Sequence, residues 1–171
     1  MKLTLKTTVC CCLLSALSLA GPLAGAKESQ AARIKASAIQ VMMIRAEKLT
    51  LPAEFQVSLY EQLINQLQQK GTFSHVYRDG DRNAAIVPDL IALQCTVVSF
   101  KQGSETMRQV TTVAGATSIT LRCQFRDRGG NSMLERDITG KVRFVGGNLR
   151  ATYDFAKKAA SAAGEKFSAA K

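Results

Sequence analysis

The sequence predicts an α+β fold, with two helices packed on one face of a mixed or antiparallel sheet of four to five strands. Three observations carry that prediction. Between Pro52 and Lys70 the apolar residues Phe55, Leu59, Tyr60, Leu63, Ile64 and Leu67 recur three and four apart, the period of one helix face. Three later runs read as strands: Asp89 to Phe100 is apolar on both faces, while Ser118 to Arg126 and Met133 to Val145 set inward apolar residues against outward polar ones. A second helical stripe closes the chain, and one shared sheet face is the simplest place to bury both stripes.

Residues 1–26 read as an export signal. Lys2 and Lys6 supply a positive start, Val9 to Ala20 a short apolar run, and Ala24-Gly25-Ala26 the small residues that a signal peptidase reads. Cleavage is expected after Ala26, with Ala20 as the alternative. The apolar run is shorter than the ~20 residues that cross a bilayer, so no stable membrane span is expected. Pro22 follows Leu19-Ala20-Gly21 where a lipid anchor needs cysteine, and Cys10, Cys11 and Cys12 come too early. The product is therefore expected to be periplasmic or secreted and not a lipoprotein. About 145 residues remain, enough for one domain with its own core. Residues 27–32 are small and polar, a mobile leader, and 33–171 form the single α/β sandwich domain.

Arg33 to Arg45 alternates and becomes apolar on both sides toward its end, as an interior strand does, with Met42 and Met43 as core filling. In the helix that follows, Pro52 suits a first turn, Thr50 is available as a cap, and Glu54 meets the positive end of the dipole. Gly71 ends it in the left-handed conformation, and Phe73, Val76 and Tyr77 begin a short strand. Arg78 to Pro88 is a solvated turn. Its Asp79, Asp81 and Asn83 mimic the opening of a calcium loop, but Ala84 stands where glycine is needed and Leu90 where a bidentate Glu belongs.

In the strand from Asp89, the residues Ile91, Leu93, Cys95 and Val97 share one face, and Leu90, Ala92, Thr96, Val98 and Phe100 the other. Lys101 to Thr117 fits either a long hairpin with a bulge or two short ribbons joined by a mobile loop. From Ser118, the side chains of Ile119, Leu121, Cys123 and Phe125 face in while Thr120, Arg122, Gln124 and Arg126 face out, the pattern of an antiparallel strand with one wet face. Asp127 to Ser132 is a tight turn in which Gly129-Gly130-Asn131 accept positive φ angles. The return strand places Leu134, Ile138, Val142 and Phe144 inward and Glu135, Asp137, Lys141 and Arg143 outward. Gly140 sits at an inward position, marking a bend or a close approach by a helix. Gly146-Gly147-Asn148 turns into the last helix, whose stripe is Leu149, Tyr153, Ala156, Ala160, Ala163 and Phe167, with Lys157, Lys158 and Lys166 in water. A glycine pair before a helix can cradle an anion, but it is also the ordinary strand-to-helix turn, which is the reading adopted.

The net charge is +10, and cleavage removes Lys2 and Lys6 to leave about +8. Such an excess suits anionic partners, or only solubility, since the basic residues are scattered. Export excludes nucleic acid and leaves another envelope protein or an anionic envelope polymer. Outward Arg122, Arg126, Lys141 and Arg143 share parity on two hairpin strands and form a candidate strip for such a partner. Cys95 and Cys123 survive cleavage into an oxidising compartment. If the strand ending at Phe100 pairs antiparallel with that starting at Ser118, with Leu93 facing Phe125 and Val97 facing Leu121, the two cysteines face each other. They form either a disulfide or a pair of buried, inert thiols.

Catalytic chemistry finds little footing. His75 is the only histidine and sits in a strand pattern with Phe73 and Val76. One His and two distant Cys make no metal set, no cofactor motif is present, and no G-x-S-x-G turn marks a nucleophile.

The run Phe55, Leu59, Leu63, Leu67, then Gly71-Thr72-Phe73 and Val76, resembles the DUF4410 family of bacterial envelope proteins. The likeness continues through Pro88-Asp89-Leu90-Ile91-Ala92-Leu93, Gly103, Arg108, Ile119-Thr120-Leu121, Gly146-Gly147 and Phe155-Ala156, and so covers most of the mature chain. Family members often carry a glycine-rich segment before the central hairpin, where this chain keeps only Gly115. Similar α/β modules occur in curli-export and cell-wall-synthase-activating lipoproteins, where they serve assembly or activation. The resemblance brings no catalytic residue. It implies a non-catalytic periplasmic binding or envelope-assembly module. The alternatives are an enzyme with a site in the 79–88 or 103–117 loops and a structural subunit of an envelope complex. The oligomeric state is left open.

Overall fold

The computed structural model describes residues 32–47, 49–104, 106–107, 115–142 and 147–170. The expected export signal, most of the leader, and Arg108, Arg143, Phe144 and Gly146 lie outside the described residues. The strands are β1 (Ile34–Ala36), β2 (Ala38–Val41), β3 (His75–Arg78), β4 (Leu90–Lys101), β5 (Thr117–Arg126), β6 (Ser132–Val142) and β7 (Phe167–Ala169), and the helices are α1 (Ala53–Lys70) and α2 (Arg150–Lys166).

Ser37 divides the first expected strand in two. Its N–H donates to Asp89 Oδ2 at 2.7 Å and its hydroxyl to Asp89 Oδ1, while its carbonyl accepts from Ser74 N–H at 2.8 Å. Before this point β1 leaves the main sheet and pairs in parallel with β7, Ile34 opposite Phe167, a two-stranded ribbon the sequence pattern does not reveal. Beyond it, β2 lies inside a mixed five-stranded sheet of order β3-β2-β4-β5-β6, parallel to β3 and β4. β4, β5 and β6 are antiparallel neighbours. Past Val41 the pairing with β4 continues irregularly through Arg45, and Met43 is 58% exposed, not part of the core as expected. The chain has turned outward there, and Met43 N–H donates to Asp79 Oδ2 at 2.9 Å.

All six expected apolar residues of α1 are buried, each contributing about 1.5–3 kcal/mol of burial free energy. Pro52, not Thr50, holds the N-cap position. It caps without its side chain, its carbonyl accepting from Phe55 N–H at 2.9 Å. Gly71 closes the helix at φ 64°, as expected. Tyr60 ties α1 to the sheet, its hydroxyl donating to Val41 O at 3.2 Å and accepting from Asp79 N–H at 2.8 Å.

α2 runs beside α1 in the same direction, since Thr152 meets Ser58 near their starts (2.7 Å) and Gly164 approaches Thr72 and Lys70 near their ends. Both helices feed one core with the same sheet face. The buried surface of α2 differs from the expected stripe. Ala156, Ala160, Ala163 and, in β7, Phe167 are buried, but Leu149 and Tyr153 are 40% and 43% exposed, while Ala151, Thr152, Phe155, Ala159 and Ala162 are buried. The physical reason is that α2 faces the sheet and α1 at once and must bury two adjacent rows. Gly140 makes room, because a Cβ there would lie 2.1 Å from Ala151 O and 2.6 Å from Phe155 Cβ. The close helix approach expected from the sequence is thereby observed.

Two strand details depart from strict alternation. The β4–β5 register slips at Val98, a β-bulge, so Phe100 pairs with Ile119 and turns to the helix side. Its ring meets Phe55 edge-on at 4.8 Å, whereas simple parity places it on the other face. In the β5–β6 turn only Gly130 has positive φ, 81°, and Asp127 instead organises the loop by accepting from Asn131 N–H and side-chain amide, both at 2.9 Å. The 78–88 segment holds a 3-10 turn at Arg82–Ile86. Its Ala84 is buried with Ala38 and Leu90, a small second core at one corner of the opposite sheet face.

Candidate functional site

The same alternation that buries most of one face of β4, β5 and β6 leaves the other, among the described residues, without a helix. Along the centre of this open face, directly opposed residues of β5 and β6 bond across the strands. Thr120 meets Thr139 at 2.8 Å, Arg122 grips Asp137 with two bonds of 2.9 and 3.1 Å, and Gln124 donates to Glu135 at 2.8 Å. Arg126 extends the chain by donating to Gln124 Oε1 at 2.8 Å, and Arg122 also lies 3.6 Å from Glu135. The Arg122 hydrogen bonds hold the Asp137 carboxyl below the usual carboxylate range, and Asp137 in turn raises the guanidinium.

The structure therefore places three of the four strip residues on one surface, without making them contiguous. Arg122 is occupied by Asp137. Arg126 and Lys141 stand at opposite ends of the ladder, Lys141 opposite Ser118, about 27 Å apart at the rise of an antiparallel strand. Arg143 lies outside the described residues. The strip expected from parity omits its acidic partners Glu135 and Asp137, yet the sequence carries a signal for them. A hairpin turning at Gly129-Gly130 sets Arg122 opposite Asp137 once its register is counted outward.

The outer edge of β6 is partly closed by α2. Lys158 Nζ donates to Thr139 O at 2.9 Å, Lys141 N–H donates to Asp154 Oδ2 at 2.9 Å, and Lys158 and Asp154 pair at 2.6 Å. These side chains satisfy backbone groups that would otherwise offer a template for another strand. Beside them a groove of about 540 Å³ runs between β6 and α2 past Arg136, which pairs with Glu165 at 2.8 Å. Periodicity alone gives no sign of these caps, because they depend on where α2 lies.

Cys95 and Cys123 stand on the covered face, directly opposite in the expected register, with free thiols and sulfur atoms 2.8 Å apart. Burial pushes the Cys95 thiol well above its ordinary value.

In the 79–88 loop, Asp79 serves Met43 and Asp81 caps Asn83, both in local structure. The ends of the 103–117 segment meet where Gly103 N–H donates to Thr117 Oγ1 at 3.0 Å, and 108–114 lies outside the described residues. His75 stacks on Tyr77 at 6.0 Å. Among the described residues no group of three or more His, Cys, Asp or Glu side chains is placed to hold a metal ion, and no helix is long and apolar enough to cross a membrane.

No family model and no curated protein matches the chain. Solved structures do. A PelC dodecamer from Paraburkholderia phytofirmans aligns with TM-score 0.57 at 12% identity, over 77% of this chain and 89% of that one. A PelC point-variant dodecamer from the same organism gives 0.56 at 14% identity, over 80% and 92%. A Xanthomonas campestris protein of family DUF330 gives 0.50 at 12% identity, over 76% and 84%. At these identities the likeness establishes the fold.

Proposed function

We propose that this chain is an exported, non-catalytic module of the bacterial cell envelope, of the DUF4410 kind, that binds another envelope protein through its open sheet face. The observation that carries this reading is the contrast between a largely buried helix side and three long strands whose other side, among the described residues, has no helix over it. The export-signal pattern of residues 1–26 supports the address. The quoted DUF4410 positions support the family, since Phe55, Leu59, Leu63 and Leu67 line the core, Gly71 ends α1 and Asp89 anchors Ser37. The PelC structures with which the fold is shared are dodecamers, which supports an assembly of several copies.

The ladder on the open face also favours a protein over a uniformly anionic polymer. Its centre carries Glu135 and Asp137 beside Arg122, so a partner with both signs of charge fits better than a polyanion. The experiment is retention of envelope proteins on the immobilised mature chain, with Arg126→Glu and Lys141→Glu as charge reversals. The account expects a specific protein to be retained, with retention weakened by each reversal and by salt. Retention of anionic polymer alone, or of nothing, would count against it. Light scattering of the same preparation is expected to give a multiple of the protomer mass.

A further inference from the structure

We propose that Cys95 and Cys123 are joined by a disulfide in the exported protein, and that the bond closes during folding, before the helices cover the sheet. The proposal takes its oxidising compartment from the export reading above and its feasibility from geometry.

The backbone settles what kind of pair the cysteines form. Met42 N–H and Arg45 N–H donate to Leu93 O and Cys95 O at 2.9 and 3.0 Å, and Val97 N–H donates to Arg45 O at 2.8 Å. The polar backbone groups of the odd residues of β4 thus point toward β2 and away from β5. Cys95 and Cys123, opposite each other in the β4–β5 register, are therefore a non-hydrogen-bonded pair. In such pairs the Cα atoms are about 4.5 Å apart and the side chains converge, within the ~4.4–6.8 Å that a disulfide spans. With the sulfurs already 2.8 Å apart, closure needs only about 0.8 Å of travel.

Burial dictates when closure happens. Cys95 and Cys123 are 1% and 0% exposed, held with Leu93, Val97, Leu121 and Phe125 in the core that α1 and α2 complete. Neither is open to an exchange partner in the folded protein, and burial disfavours the thiolate of Cys95. The oxidant is a protein of the thiol–disulfide oxidoreductase class. One cysteine thiolate attacks the donor's disulfide and releases one donor thiol, and the second cysteine then attacks the mixed disulfide and releases the other. The two cysteines together lose two protons and two electrons, and the donor leaves as a dithiol. The bond clasps β4 to β5 across the whole 103–117 segment, and closing a loop of this length raises Tm by roughly 10 °C.

The test uses the full chain, once purified after its own export and once refolded from the reduced, denatured state with oxidised glutathione. The expected result is that the peptide carrying Cys95 is recovered linked to that carrying Cys123 in both arms. Oxidised glutathione added to folded, reduced protein forms the link far more slowly than during refolding. Reductant lowers Tm in the native sequence but not in the Cys95→Ala/Cys123→Ala variant. Exported protein in which both thiols alkylate after denaturation, or refolding that ends in glutathione adducts at these positions, overturns the proposal. Retention of the chain in the cytoplasm overturns the export reading instead, and the refolding arm then decides the bond.

Discussion

β5 presents two surfaces made of neighbouring residues under opposite physical demands. Ile119, Leu121, Cys123 and Phe125 have no exposure to solvent, while Thr120, Arg122, Gln124 and Arg126 between them form the polar ladder. The first set is held by close packing, in which a change of even one methylene is felt. The second is held by cross-strand pairs in water, which are weak and replaceable. The difference teaches that stability resides on the helix side of the sheet, leaving the other side free to be shaped for binding.

The largest expected effect comes from breaking the covered side. Leu121→Ala is predicted to cost about 2–5 kcal/mol, measured as a fall in the urea midpoint at unchanged slope. Gly140→Ala probes the same side by overpacking, since its new methyl would meet the backbone of α2 at 2.1 Å. A loss of about 1–3 kcal/mol is expected by thermal melting. A neutral outcome there would mean that α2 does not press on β6 as described.

Acid separates the faces less sharply. The carboxyls of Asp137, Glu61 and Asp89 are held below their ordinary values by hydrogen bonds from Arg122, Arg78 and Ser37, and that of Asp127 by the Asn131 side chain. Depressed values mean that the charged forms favour the fold. Their contribution is present at neutral pH and lost as pH falls below about 4, through the depressed values. Denaturation midpoints followed from pH about 6 to 2 are expected to fall in that window, and Asp89→Asn to flatten the fall. The smallest effect belongs to the open side. Arg122→Ala, one residue from Leu121, is expected to move Tm by no more than about 2 °C by calorimetry. Its consequence should appear in partner retention instead.

How much of this was readable from the chain follows the same division. The face of α1 and the Cys95–Cys123 register were legible because long, regular runs of large apolar residues leave one consistent solution. The turn of α2 was not, because alanines bury on any side that space allows, and Leu149 and Tyr153 drew the expected stripe toward the rim. Phe100 was misplaced because a bulge at Val98 changes parity without any mark in composition. The three-residue pairing of β1 with β7 is too short to carry a period. On the open face the basic residues were visible, but their meaning depended on Asp137 and Glu135, which only the hairpin register brings beside them.

The central claim is that the open sheet face is where this protein meets its partner. Photo-crosslinking in living cells tests it most directly, with the reactive side chain placed at Gln124 in the ladder or at Asn65 on the outer surface of α1. The account predicts a discrete protein adduct from Gln124 and none from Asn65. Adducts from Asn65 with a silent Gln124 would contradict it.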